Sequence, residues 1–324
     1  MSLGNTIQPP DTAAAAPTFL AGAERSGSTM LRLMIADHPD ISWLQEFEYS
    51  VDQVASPDNW PNVPSYLDWL STHRIFRAMD FDVDRSLDYS QLVASFLEQK
   101  QRRDGAAVVG ATVHRHFDRL LWLWRNAKFI HLVRDPRDVA RSVKNIGWVG
   151  HIRYGADRWI QVEKLWDAIK PQLQPHTYVE LRFEDVVADP ERALRPVWEL
   201  LGVDASRYRM SFWEHTTYDR PDPALTYQWK RKLRPGDVQL IEERVGPMLG
   251  ARGYQPSAHP HVTPSRLREA YFRLANRAGR ARFRAKRYGP LLWLASMVSQ
   301  RLPFGNWSKS VRLKMNEIDT QHLK

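Results

Sequence analysis

Two glycines five residues apart, set between an apolar run and a helix-like stretch, constrain this chain more than any other feature. Phe19-Leu20-Ala21 reads as a buried strand and Gly22-Ala23-Glu24-Arg25-Ser26-Gly27-Ser28-Thr29 as a tight turn. Met30-Leu31-Arg32-Leu33-Met34-Ile35 then opens a helix. In such a layout the first helical N–H groups have no carbonyl partner and face whatever the loop encircles, so the loop favours an anion. The glycine spacing is that of G-x-x-x-x-G-K-[S/T], but Ser28 stands where that pattern has its Lys. Without the Lys that reaches the β- and γ-phosphates, the loop is poorly suited to a nucleoside triphosphate. The nearest cation is Arg25, two residues before the second glycine. The loop suits a donor with a single charged group at its 5′ end.

A second segment has the same build. Lys128-Phe129-Ile130-His131-Leu132-Val133 reads as a buried parallel strand. Arg134-Asp135-Pro136-Arg137-Asp138 follows, with Asp135 placed to cap the next helix and Pro136 in its first turn. Together, Arg25-Ser26-Gly27-Ser28-Thr29 and the Arg134–Ser142 segment resemble the 3′-phosphoadenosine 5′-phosphosulfate (PAPS)-dependent sulfotransferases, in particular the bacterial and tyrosylprotein-type branch. The resemblance implies a PAPS co-substrate and no metal. It assigns Arg25, Ser26, Gly27, Ser28 and Thr29 to the 5′-phosphosulfate, and Arg134 and Ser142, eight residues apart, to the 3′-phosphate.

The same resemblance supplies candidates for the base. Ala36-Asp37-His38-Pro39-Asp40-Ile41 is similar to a family D-x-H-P-D-[I/V] pattern, and Glu46, five residues past Ile41, takes the place of the catalytic Glu. Glu48 is close enough to compete. His114 is the rival, because another branch of the family draws its base from this region. Where relatives carry a Lys in a G-x-K-T pattern, this chain has Ala111, which leaves Arg25 alone or with His114, Arg115 or His116 to assist the leaving oxygen. Arg182-Phe183-Glu184-Asp185-Val186 resembles a family element bordering the nucleotide, placing Phe183 near adenine or in the core. Trp229 and Lys230 fall where relatives carry a Trp and basic residues beside the donor.

Strand-like runs at 18–21, 41–44, 107–113, 129–133 and 178–183 alternate with helical patterns. They predict an α/β fold: a P-loop-type parallel sheet flanked by helices, with a basic helical carboxy-terminal extension. The expected organisation is a disordered lead-in over 1–16, a sulfotransferase domain over 17–255 and an extension over 256–324. The thirteen Trp, including Trp60, Trp69, Trp122, Trp124, Trp148 and Trp159, are expected in an acceptor cleft or in the core.

Charge separates the parts. Of 46 Lys and Arg residues, 14 lie from His261 onward, against 3 of the 37 Asp and Glu residues, so the net charge of +9 belongs to the extension. Zero Cys excludes a disulfide scaffold and thiolate chemistry. No stretch reaches the roughly 20 apolar residues of a membrane span, and no secretory signal is legible, which predicts a cytoplasmic protein. Arg273, Arg277, Arg280, Arg284 and Arg287 align on one helical face. With the apolar stretch Leu291–Val298 they suggest a peripheral surface over 264–300 for the anionic inner membrane face; no specific nucleic acid is expected. The acceptor is open among small molecule, glycan and lipid, and the oligomeric state is unassigned. The competing readings are a P-loop kinase, disfavoured by the missing Lys, and a catalytically degenerate membrane-associated adaptor.

Overall fold

The structure is a computed structural model that describes residues 16–301 and 305–321. The expected lead-in lies outside those residues except at its last position. In chain order the strands are β1 (Thr18–Gly22), β2 (Ile41–Glu46), β3 (Val108–Val113), β4 (Lys128–Val133) and β5 (Tyr178–Arg182). The helices before β5 are α1 (Ser28–Ala36), α2 (Val63–Leu70), α3 (Arg74–Met79), α4 (Tyr89–Asp104), α5 (Leu120–Leu123), α6 (Pro136–Asn145) and α7 (Asp157–Ile169). After it come α8 (Phe183–Ala188), α9 (Pro190–Leu201), α10 (Trp229–Lys232), α11 (Pro235–Val245), α12 (Met248–Ala251), α13 (Arg266–Tyr288), α14 (Pro290–Arg301) and α15 (Gly305–Gln321). The expected α/β sheet is present. Phe183 differs from expectation: it opens α8 instead of ending the strand.

The chain divides into two compact units. The first takes the residues up to 23, 27–132 and 162–221; the second takes 24–26, 133–161 and 222 onward. The first holds the sheet, ordered β2-β3-β1-β4-β5, with β1 parallel to both β3 and β4. β1 is buried along its whole length, as a central parallel strand covered on both faces must be. Gly110 is required in β3 because the Trp43 ring lies across it; a Cβ there would fall 2.3 Å from the indole. The A-D-H-P-D stretch makes the turn into β2. Its His38 is buried against Trp198 and Tyr208, accepts the Asp40 N–H at Nδ1 and so presents Nε2–H to the Asp204 carbonyl. Between β2 and β3, α2 to α4 enclose an aromatic cluster. Within it, the Tyr66 and Tyr89 hydroxyls donate to the carbonyls of Tyr49 and Ser50 and pin the short turn Glu48–Ser50.

In the second unit α6 begins as the sequence indicates. The Asp135 carboxylate accepts the Arg137 N–H, and Pro136 occupies the first turn. Gly155 lies so close to α6 that a Cβ would meet the Ala140 carbonyl at 2.6 Å. The segment after α6 also carries Arg153, ion-paired with Glu243 of α11 and Glu269 of α13.

Candidate functional site

In the first unit the chemistry gathers at the carboxyl ends of β1, β2 and β3. Ligands of open α/β sheets bind there. Gly22 closes β1, and a Cβ on it would strike the Leu132 carbonyl at 2.5 Å. Gly27 caps α1 at φ 94°, a left-handed conformation that glycine adopts without strain, and no side chain caps the helix. The N–H groups of its first turn are therefore free of intrahelical partners. Phe183 lies against this turn: a Cβ on Gly27 would fall 2.2 Å from its ring. Ser28 is buried and Thr29 half-buried at the start of α1.

Three titratable groups meet beside the loop. His114, one residue beyond β3 and 6 % exposed, brings Nδ1 within 2.7 Å of the Gly22 carbonyl. That carbonyl can only accept, so Nδ1 carries a proton, which leaves Nε2 as the ring nitrogen free to exchange one. The His114 backbone N–H donates to Oε1 of Glu48 at 2.8 Å. Glu48 is 3 % exposed, and burial pushes its carboxyl up to about 6, against the pull of His114 and Arg115. Glu46 is the exposed partner. The β2–β3 register shifts between Leu44 and Glu46, and Gln45 and Glu46 are both exposed after four buried residues. Glu46 also interacts with Arg32 of α1, whose guanidinium is lowered mainly by burial and raised by Tyr218 and Glu46.

Ala111 is wholly buried mid-strand, between Phe19 of β1 and Leu44 of β2 in register. Of the residues weighed as substitutes for a Lys there, Arg115 is held by Asp52 through two hydrogen bonds, and His116 is half-buried at φ 55°.

In the second unit the other two motif pieces meet. Arg25, exposed and itself at φ 72°, donates from Nε to Ser142 Oγ at 3.0 Å. Arg134 reaches the Arg25 carbonyl at 3.4 Å and the Leu225 carbonyl at 2.6 Å. Ser26 is fully buried, and its hydroxyl has no hydrogen-bond partner among the described residues. An orphaned buried hydroxyl in an anion-type loop fits a ligand oxygen.

Trp229 is buried and oriented by two aspartates. Its indole N–H donates to Asp135 at 2.9 Å, and its backbone N–H to Asp138 at 2.7 Å. The Arg137 guanidinium stacks 3.7 Å above its ring while gripping Asp135 with two hydrogen bonds and Glu242 with a third. Asp138 also takes the Gln228 N–H and lies 3.9 Å from Arg134. Burial raises its carboxyl, opposed by Arg134. Lys230 is exposed, with Nζ 5.1 Å from the Tyr227 ring centre. Asp138 and Arg137 were not singled out from sequence. The available signal was the Asp-x-x-Asp spacing of 135–138, which puts two carboxylates on one turn with an Arg between them. In the first unit Trp60 stacks on Tyr89 and Trp69 on Tyr66, Trp124 packs at a tilt against Phe19, and Trp122 is half-buried. In the second, Trp159 is buried and Trp148 is exposed beneath Arg158.

The profile of the Sulfotransferase family matches residues 17–207. The chain belongs to that family. Among similar proteins are the omega-hydroxy-beta-dihydromenaquinone-9 sulfotransferases Stf3 of Mycobacterium bovis and Mycobacterium tuberculosis, each 24 % identical over 238 residues. That alignment takes in 67 % of this chain and 56 % of Stf3, so the chain spans little more than half the length of these curated relatives. A solved structure, the sulfotransferase domain from the Synechococcus PCC 7002 olefin synthase, superposes with a TM-score of 0.50 at 20 % identity, over 72 % of this chain and 96 % of that one. At that identity the likeness shows the fold. Family membership removes the P-loop kinase as the favoured alternative. Among the described residues no cluster of His, Cys, Asp and Glu could hold a metal ion, and no helix is long and apolar enough to cross a membrane.

Proposed function

We propose that this sulfotransferase-family chain moves a sulfuryl group from PAPS to an acceptor hydroxyl, releasing adenosine 3′,5′-bisphosphate. The observation that carries the reading is the contact of Arg25 with Ser142 and Arg134. These residues belong to motifs more than a hundred positions apart, which the family resemblance assigns to the two ends of one nucleotide. Arg25, the buried Ser26 hydroxyl and the first-turn N–H groups of α1 receive the 5′-phosphosulfate; Arg134 and Ser142 receive the 3′-phosphate. Gly27 keeps the turn open and Phe183 backs it; the family resemblance adds Trp229 and Lys230 as donor residues.

In the transfer the bond from sulfur to the bridging phosphate oxygen breaks as one forms to the acceptor oxygen. The acceptor's proton passes to a carboxylate or imidazole, and the leaving phosphate keeps the electron pair. Glu46 takes that proton in this reading, since it is the carboxylate that reaches solvent. His114, with Nε2 free to exchange a proton, is the alternate base. Arg25 stabilises charge on the leaving oxygen where Ala111 offers no cation. The Stf3 relatives, whose acceptor by name is a hydroxylated menaquinone, support a hydroxyl on an apolar molecule as the acceptor class.

The test is incubation of the purified chain with sulfur-labelled PAPS and a lipid extract, with mass spectrometry of the products. A labelled lipid product together with adenosine 3′,5′-bisphosphate supports the reading. Preferential binding of ATP with Mg²⁺ over PAPS would overturn it.

A further inference from the structure

The basic extension carries a surface that the transfer reaction leaves unused. α13 has three distinct faces, each built at helical spacing. Its inner row, Phe272, Asn276, Gly279 and Phe283, docks on the segment that follows α6. Asn276 accepts the N–H groups of Gly150 and His151 at 2.7 and 3.2 Å, and Phe272 stacks on His151 at 4.5 Å. Gly279 passes so close that a Cβ on it would lie 2.6 Å from the Gly150 Cα. The row Leu267, Tyr271, Leu274 and Ala278 is offset from the inner one by five residues, roughly 140° around the helix. Leu267 is 84 % exposed and Leu274 66 %. Between these rows run Arg273, Arg277, Arg280 and Arg284 on one flank, with Arg268, Arg282 and Lys286 on the other.

α14 repeats the pattern with Leu291, Leu294, Met297 and Val298 exposed on one side. Among the described residues, every exposed large hydrophobic side chain except Trp148 lies in α13–α15. No Asp or Glu occurs between Glu269 and Glu317. α15 is tied back to α13 by Asp319, which takes the Tyr288 hydroxyl at 2.8 Å and pairs with Arg287 at 2.9 Å.

We propose that the exposed apolar rows of α13 and α14, flanked by arginines, form a docking surface for an anionic lipid bilayer. Charge decides the occupant. A second copy of this chain would present the same cationic field and be repelled. Nucleic acid would satisfy the arginines but leave the leucines and Tyr271 against water. A bilayer answers both, with headgroup phosphates at the arginines and acyl chains under the apolar rows. The inner row of α13 packs on residues 147–151, which follow directly on α6, the helix bearing Ser142, so the proposed lipid surface and the nucleotide motif lie on neighbouring elements of one unit. The inference stands without the sulfuryl chemistry, because it concerns binding alone.

The test is co-sedimentation of the full chain with phosphatidylcholine vesicles, with and without phosphatidylglycerol, at low and high salt. Binding is expected with phosphatidylglycerol only and should weaken with salt as screening shortens. Leu267→Gln/Leu274→Gln and Arg277→Gln/Arg284→Gln alter only exposed side chains, and circular dichroism confirms that each remains folded. Each pair should weaken partitioning roughly tenfold. Protein left in the supernatant with phosphatidylglycerol vesicles at low salt overturns the proposal. So does duplex DNA binding lost in the arginine pair and unchanged in the leucine pair, without vesicle binding. A concentration-dependent dimer in light scattering, abolished by the leucine pair, would assign the surface to a second copy and overturn it equally.

Discussion

The backbone N–H of His114 donates to Oε1 of Glu48 at 2.8 Å, while the ring of the same histidine holds the Gly22 carbonyl. One residue thus ties the end of β3 to the turn after β2 and to the first residue of the anion loop. The arrangement sorts the three base candidates by access to solvent. Glu48 is buried as a structural acceptor, His114 is anchored through Nδ1, and Glu46 is exposed beside the register shift.

Burial of Glu48 makes stability depend on pH. Its folded value, about 6, lies above its ordinary 4.5. Between those values the folded chain keeps a proton that the unfolded chain has released. The contribution is therefore complete below about pH 4.5 and is lost as pH rises through about 6, a span worth about 2 kcal/mol. Glu48→Gln keeps an oxygen for the His114 N–H and removes the titration. Urea unfolding of both proteins across this range should show the wild type losing about 2 kcal/mol relative to the variant as pH rises. Parallel curves would mean that Glu48 is not held protonated.

Glu46 and His114 divide differently under mutation if Glu46 receives the proton. Glu46→Gln should lower turnover by about 10²-fold with little change in nucleotide affinity. His114→Ala should cost stability as well as activity, because it removes the ring that holds the Gly22 carbonyl. Steady-state kinetics with thermal unfolding on both variants separates these effects. A near-wild-type Glu46→Gln beside a folded, inactive His114→Ala would exchange the roles.

Much of the fold was legible because its signals are local. The run Phe19–Ala21, Gly22 and Gly27, and the Asp135-Pro136 helix start each state their own conformation within a few residues. The aspect of Glu46 was not legible, since it accompanies a slip between two strands that periodicity alone cannot show. Nor was the Arg137 cluster. In sequence a run of Arg and Asp reads as a solvated turn. Its burial depends on Trp229 and Glu242, about a hundred residues away. Phe183 misled in a smaller way: an aromatic ending an apolar run extends the strand pattern, while the backbone has already turned into α8.

The two arginines of the donor motifs should fail in different ways. Arg25→Ala removes the cation assigned to the transferring group and should reduce turnover by at least about 10²-fold. Arg134→Ala should chiefly weaken adenosine 3′,5′-bisphosphate, by about tenfold or more, since it loses a charged contact remote from the reacting sulfur. Calorimetric titration alongside rate measurements checks both. Undiminished nucleotide affinity in Arg134→Ala would remove that residue from the 3′-phosphate.

Arg137 tests whether the buried polar cluster acts through Trp229. It is 2 % exposed, and its guanidinium satisfies Asp135, Glu242 and the Gln255 carbonyl. Arg137→Ala removes the counter-charge of two carboxylates and should cost about 3–5 kcal/mol. Arg137→Lys retains a positive charge but lacks the planar fork that grips Asp135 and covers the indole, so it should recover only part of that loss. The informative comparison is the lysine variant below its unfolding temperature. Asp135 also fixes the Trp229 indole N–H, so a loosened Asp135 lets the indole tilt. Nucleotide affinity should then fall while the far-ultraviolet circular dichroism stays native. Trp229→Phe keeps the ring but loses its N–H, and should bring much of the same loss if orientation is what matters. Native affinity in both folded variants would reduce Arg137 and Trp229 to packing, and leave Arg134 and Ser142 to hold the nucleotide without them.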